Sequence, residues 1–144
     1  MKTILKQTLL YYRLFIALTI VFGIFAAFLN PISIEGELSV SLESLMILIN
    51  LATIPFSMKY SAIRLKKINE IINTKDKFEE YRKLYFLRIT ILSLVLIFNF
   101  ILFSLLQKSS CLIFSGLIYI ISMFCYPSKN RIENELELEQ DQDI

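Results

Sequence analysis

Residues 58–84, reading MKYSAIRLKKINEIINTKDKFEEYRKL, form the one long polar interval in a chain otherwise built from apolar runs. From residue 59 through 88, nine Lys or Arg stand against four acids, a surplus of +5. Loops on the cytoplasmic side of a membrane carry an excess of Lys and Arg, so this interval is expected to face the cytosol, and every other segment is oriented from it. With 56% hydrophobic residues and a mean hydropathy of +0.61, a chain of 144 residues is too apolar for a water-soluble globule. The sequence predicts an all-α membrane protein: four transmembrane helices, arranged as two helical hairpins, in a single domain over residues 1–144.

The spans are placed at about residues 12–30, 42–59, 86–107 and 110–126. Ahead of the first, Ile4, Leu5, Thr8, Leu9 and Tyr12 recur at helical spacing. A basic lead before an apolar run also fits a cleaved signal peptide, but the three apolar runs that follow favour a retained span. Asn30-Pro31 closes the run. Residues 30–43 hold Glu35, Glu37 and Glu43 and no base, as an external loop should. Ser41 is read as the N-cap of the second span, with Glu43 in its first turn, where the helix dipole favours a carboxylate.

Past Met58 the stripe Ser61, Leu65, Ile68 and Ile72 carries the second helix on to a turn at Asn73-Thr74, and Phe78, Tyr81 and Tyr85 lead the third helix back. Helices 2 and 3 are thus expected to extend into a cytosolic antiparallel hairpin over residues 60–85, each arm about 20 Å long. Lys75 with Glu79, and Glu79 with Lys83, have the spacing of helical ion pairs. Gln107 to Ser110 make the next turn, and Pro127 stops the fourth span. Ser128 then caps a short helix with Ile132 and Leu136 on one side, within an acidic C-terminal tail over residues 128–144. On this topology 14 of the 15 Lys and Arg lie in the cytosol with both termini, Lys108 being the exception. The chain has no N-glycosylation sequon, prenylation box or retrieval signal, and a bacterial inner (plasma) membrane is the expected location.

Inside the spans, a hairpin turning at Asn73-Thr74 brings Asn50 level with Asn99. An amide in hydrocarbon must find a partner, and a cross-helix hydrogen bond supplies one at about 0.6–2 kcal/mol. Asn50, Asn99 and neighbouring Thr53 are therefore read as an interhelix polar contact, or alternatively as the lining of a pore. Pro55 can bend the second helix. The segments LLYYRLFIALTIVF around Arg13 and LYFLRITILSLVLIF around Arg88 can be superposed as a tandem repeat. That repeat places Arg13 and Arg88, with Tyr12 and Tyr85, at equal depth as membrane-interface anchors. Gly23 and Ala27 make a small-xxx-small pair, and Ser115, Tyr119 and Ser122 share an inward face of the fourth span. Cys111 and Cys125, at opposite ends of one apolar run, are too far apart for a disulfide.

Arg64, Lys66, Lys67, Arg82 and Lys83 make the hairpin basic, a surface for anionic lipid headgroups or a partner protein; the acidic tail could fold over it. Nucleic-acid binding lacks any accompanying fold motif. The chain has no His, no phosphate-binding glycine loop and no Cys-x-x-Cys, so no catalytic, cofactor or metal residue is expected. The partners expected are the lipid bilayer and a membrane or cytosolic protein; a homo-oligomer is compatible with the sequence. The preferred reading is a non-catalytic accessory, partner-binding or regulatory membrane subunit. The alternative is a small transporter or an oligomeric, holin-like pore lined by Asn50, Thr53 and Asn99.

Overall fold

Thirteen buried side chains on one helix, against four to six on each of its long neighbours, set the architecture. The computed structural model describes residues 1–29 and 34–137. Within them are five α-helices: α1 (Lys2–Phe28), α2 (Glu37–Asn69), α3 (Thr74–Leu106), α4 (Ser109–Phe124) and α5 (Lys129–Glu135). The first three are long and apolar enough to cross a membrane, and α4 with α5, bent by 83° at their junction, counts as a fourth if the two act as one span. The central element is α3, against which α1, α2 and α4 each pack.

The sequence of α3 explains its place. Tyr81, Tyr85, Arg88, Leu92, Val95, Asn99, Leu102 and Leu106 follow one another at alternating steps of four and three, and all eight are buried. That is heptad spacing, which keeps one seam of a helix against its neighbours over its whole length. A second face of α3 serves α1. The Phe100 ring lies so close to Gly23 that a β-carbon there would sit 3.2 Å from it, and Ser104 donates to the carbonyl of Ala26 at 3.1 Å. The small residues facing α3 are therefore Gly23 and buried Ala26, while Ala27 points outward. The expected pair was one position off.

Helix ends follow local chemistry. Asn73 caps α3 by accepting from the Lys75 amide at 3.1 Å, and Ser128 caps α5 by accepting from Arg131 at 3.2 Å. Gln107 adopts a left-handed conformation, φ 53°, to close α3. The start of α2 departs from expectation. Gly36, at φ 87°, supplies an entry that L-residues rarely adopt, so the helix begins at Glu37. Ser41 is then an interior residue whose hydroxyl donates to the Glu37 carbonyl, and Glu43 lies beyond the first turn. Pro55 lies inside α2, which runs on to Asn69. Asn30 and Pro31, expected to end the first span, lie outside the described residues.

Two groups of buried residues fill the bundle along α3, one around Phe15, Leu96 and Ile118 and one around Met46, Leu102 and Cys111. A third sits at the end carrying the hairpin tip, called here the basic end. There Ile132 and Leu136, both fully buried, lock against Ile68, Tyr81 and Leu84, with Met1 and, from α1, Ile4 and Leu5 packed around them. The first part of the acidic tail is thus a docked helix, because its two apolar side chains have a groove to fill; residues 138–144 lie outside the described residues.

Truncating Ile132 to Ala should cost about 2–5 kcal/mol of that local packing, the range for buried Ile or Leu. Limited trypsin digestion in detergent would read it out as faster cleavage at Lys129 and Arg131 with α1 to α4 left intact; an unchanged rate would show that α5 does not depend on this contact.

Candidate functional site

Polar side chains inside an apolar bundle are the natural places to look, since each must be satisfied by protein. Asn50 of α2 and Asn99 of α3 are both fully buried. Each amide donates to the other's oxygen, at 2.9 and 3.0 Å, and Asn50 also donates to the carbonyl of Met46 at 2.8 Å. The pair closes on itself as a reciprocal clamp between the two longest helices. Thr53 is half-buried and makes no hydrogen bond to either asparagine.

A larger polar constellation lies toward the basic end. Arg88, 9% exposed, donates through Nε to Ser61 Oγ at 3.1 Å and brings Nη1 within 3.5 Å of Glu135 Oε1. Arg131 reaches the same oxygen at 2.9 Å. The other oxygen, Oε2, accepts from the Tyr81 hydroxyl at 2.7 Å, and the Glu135 backbone carbonyl accepts from Asn69 Nδ2 at 3.1 Å. Three residues, Asn69 of α2 and Tyr81 and Arg88 of α3, are thereby tied to α5, and Ser61 of α2 is joined to them through Arg88. Burial first, and the adjacent Glu135 carboxylate second, push the Tyr81 phenol well above its usual value, so it stays a donor. Two guanidiniums share one carboxylate, leaving a formal charge of +1 among these groups.

The four interface anchors separate. Arg13 is exposed and Tyr12 half-buried, its ring edge-on to Tyr126 with centroids 5.3 Å apart. Arg88 and Tyr85 are buried, and Tyr85 donates to the Cys125 carbonyl at the end of α4 at 3.1 Å. Arg13 and Arg88 are therefore not equivalent: α3 is the central helix, so its arginine meets protein where that of α1 meets the surroundings. Of the basic hairpin residues, Arg64, Lys66, Lys67 and Lys83 are exposed. Arg82 donates to Gln7 at 3.0 Å, Lys83 pairs with Glu80 at 2.8 Å and Glu79 at 3.5 Å, and Arg64 lies over the Tyr60 ring at 5.9 Å. On α4, Ser115 and Ser122 are buried and Tyr119 packs against the core; Cys111 and Cys125 are free and buried.

At the opposite end Lys108 pairs with Glu43, and Ser110 donates to the same carboxylate at 2.6 Å. Glu43 thus clasps the α3–α4 turn to α2, a different task from the helix-dipole role expected of it. Among the described residues, no three His, Cys, Asp or Glu converge to hold a metal ion. Glu135 is the member of this polar constellation missed from sequence. The unread signal was the heptad run of α3, which includes Arg88 and so turns its charge inward, where an acid must answer it. No family model matches the chain, and comparison with curated proteins and with solved structures found no match.

Replacing Asn50 by Leu should strand the Asn99 amide and cost about 1–3 kcal/mol, while Asn50→Leu with Asn99→Leu recovers most of the loss. Reversible unfolding in mixed SDS and mild detergent measures both, and additive losses would show that the pair is not coupled. For Tyr81, a phenol pKa raised by folding means that its contribution is complete below the ordinary value of 10.0 and is lost as pH rises beyond it. Tyr81→Phe should lower stability by about 1.5–3 kcal/mol at neutral pH and flatten the alkaline loss seen in the parent protein; parallel alkaline profiles would remove Tyr81 from the account.

Proposed function

We propose that this protein is a non-catalytic, multi-pass integral membrane protein of a bacterial inner membrane, an accessory or regulatory subunit whose α2–α3 hairpin docks an acidic surface of a partner protein in the cytosol. Two features support the membrane setting. The buried face of α2 is Ser39, Met46, Asn50, Ser57, Ser61 and Ile68, whereas its exposed face carries Leu38, Val40, Leu45, Leu48, Leu51 and Phe56. Large apolar groups outside, with four Ser or Asn among the six buried residues inside, suit a hydrocarbon surrounding, where interhelix packing relies on small residues and polar contacts. The charge asymmetry supports the orientation, with the basic end in the cytosol.

The observation that carries the docking role is that Lys66 and Lys67 are exposed and, among the described residues, neither forms an ion pair, while Glu135 is turned inward to Arg88. Along α2 these lysines stand about 10 Å, and the hairpin turn about 20 Å, beyond residue 59. Attraction to lipid headgroups fades within a Debye length of about 8 Å at physiological salt. Headgroups therefore account for Lys59 and Arg64 but not for the tip, where Ile72 is 99% exposed. The alternative of a pore lined by Asn50, Thr53 and Asn99 has no such support, since the two amides are turned to each other.

Orientation is tested with single cysteines at Ile72 and Ser109, both exposed positions, and a membrane-impermeant maleimide. Ser109→Cys should label in intact cells and Ile72→Cys only after lysis; the reverse pattern overturns the topology. A photocrosslinker at Ile72 should capture a protein partner, with capture abolished by Lys66→Glu plus Lys67→Glu while membrane insertion is unchanged. Capture indifferent to those charges would exclude the proposed docking mode.

A further inference from the structure

Between α2 and α4, which meet only sparingly, lies a cleft of about 290 Å³ open along its side. Its walls are apolar, chiefly Ile54 of α2, Leu92 of α3 and Ile121 of α4, and toward the basic end polar side chains join Leu65. There Ser61, Arg88 and Arg131 line the cleft, the same guanidiniums that share the single Glu135 carboxylate. Their net +1 is held by side chains of which Arg88 is nine-tenths buried, and an uncompensated cation in such surroundings is costly. Both Glu135 oxygens are already engaged. An apolar slot ending in a surplus of guanidinium charge complements one kind of occupant, an amphiphile with an anionic head.

We propose that the cleft between α2 and α4 holds one anionic glycerophospholipid of the cytosolic leaflet, its phosphate at Arg88 and Arg131 and part of an acyl chain along Ile54, Leu92 and Ile121. The proposal rests on the membrane reading given above. Arginine suits the head because its planar fork binds phosphate oxygens in pairs. The volume lies near the lower end of the roughly 300–1,000 Å³ typical of ligand sites, enough for a headgroup and the start of one chain. The remainder of the lipid runs out past Met58 and Phe124, which flank the mouth and are 67% and 72% exposed. The lipid would thus neutralise the site, and α2, α3, α4 and α5 would all touch it.

The test is native mass spectrometry of the full chain released from mild detergent after equilibration with equal amounts of dioleoyl phosphatidylglycerol and dioleoyl phosphatidylcholine. The wild-type protein should retain one phosphatidylglycerol in preference to phosphatidylcholine. Arg131→Gln, at the partly exposed guanidinium, should lower that retention about tenfold. Ala62→Trp, which fills the cleft without changing charge, should lower it as well, while Lys6→Gln, an exposed charge elsewhere at the basic end, should not. Equal retention of the two lipids overturns the proposal. So does a loss that follows Lys6→Gln as closely as Arg131→Gln, since attraction would then be diffuse. Alkaline extraction of membranes separates the two readings: release of the chain into the supernatant sinks the membrane reading itself, whereas retention without lipid preference sinks only the lipid site.

Discussion

A polar atom packed among hydrocarbon side chains has nowhere to place a hydrogen bond except on another part of the same protein, and the arrangement of this bundle follows from where α3 carries such atoms. Its heptad seam mixes Leu and Val with Tyr81, Tyr85, Arg88 and Asn99. Their partners lie on three other elements: Glu135 of α5, the carbonyl of Cys125 that closes α4, and Ser61 and Asn50 of α2. Apolar contact between helices is weakly directional and leaves rotation and sliding undecided. These polar contacts decide both, so that the register of three helices about α3 is specified by hydrogen bonds while the bulk of the contact area comes from Leu, Ile and Phe.

The same logic explains why α5 is part of the fold. Arg88 follows from a seven-residue repeat that would otherwise deliver an apolar residue to the core, and a lone guanidinium there is untenable. Ile132 and Leu136 bring the short helix down on the base of the hairpin, and Glu135 arrives between them. Apolar docking and charge compensation are therefore one event, contributed by a seven-residue helix that could not persist alone.

Much of this was legible in the residues. Runs of apolar residues marked the four long helices, Asn73-Thr74 the hairpin turn and Ser128 the start of α5, and that turn put Asn50 opposite Asn99, because antiparallel pairing across a short turn leaves little freedom of register. Other features escaped, each for a local reason. The entry to α2 depends on a positive φ at Gly36, which moves Glu43 beyond the first turn expected for it, where it pairs with Lys108. Arg13 and Arg88 sit in similar strings, yet one helix is peripheral and the other central, a distinction that no local string contains. Glu135 lay in a stretch whose composition spoke of solvation, and only its neighbours Ile132 and Leu136 spoke of burial.

The shortness of α4 makes the molecule lopsided. At 16 residues it is about 24 Å long, while α2 and α3, at 33 residues each, are about 50 Å. If α4 by itself crosses a bilayer whose hydrocarbon layer is about 30 Å thick, the α4 flank falls short and the lipid beside it would pinch inward, at a fraction of a kcal/mol per Å. The α1 side asks for no such deformation. Two proteins that each pinch the bilayer on one flank reduce the strained perimeter by placing those flanks together, so the membrane's own elasticity would favour neighbours that approach along α4.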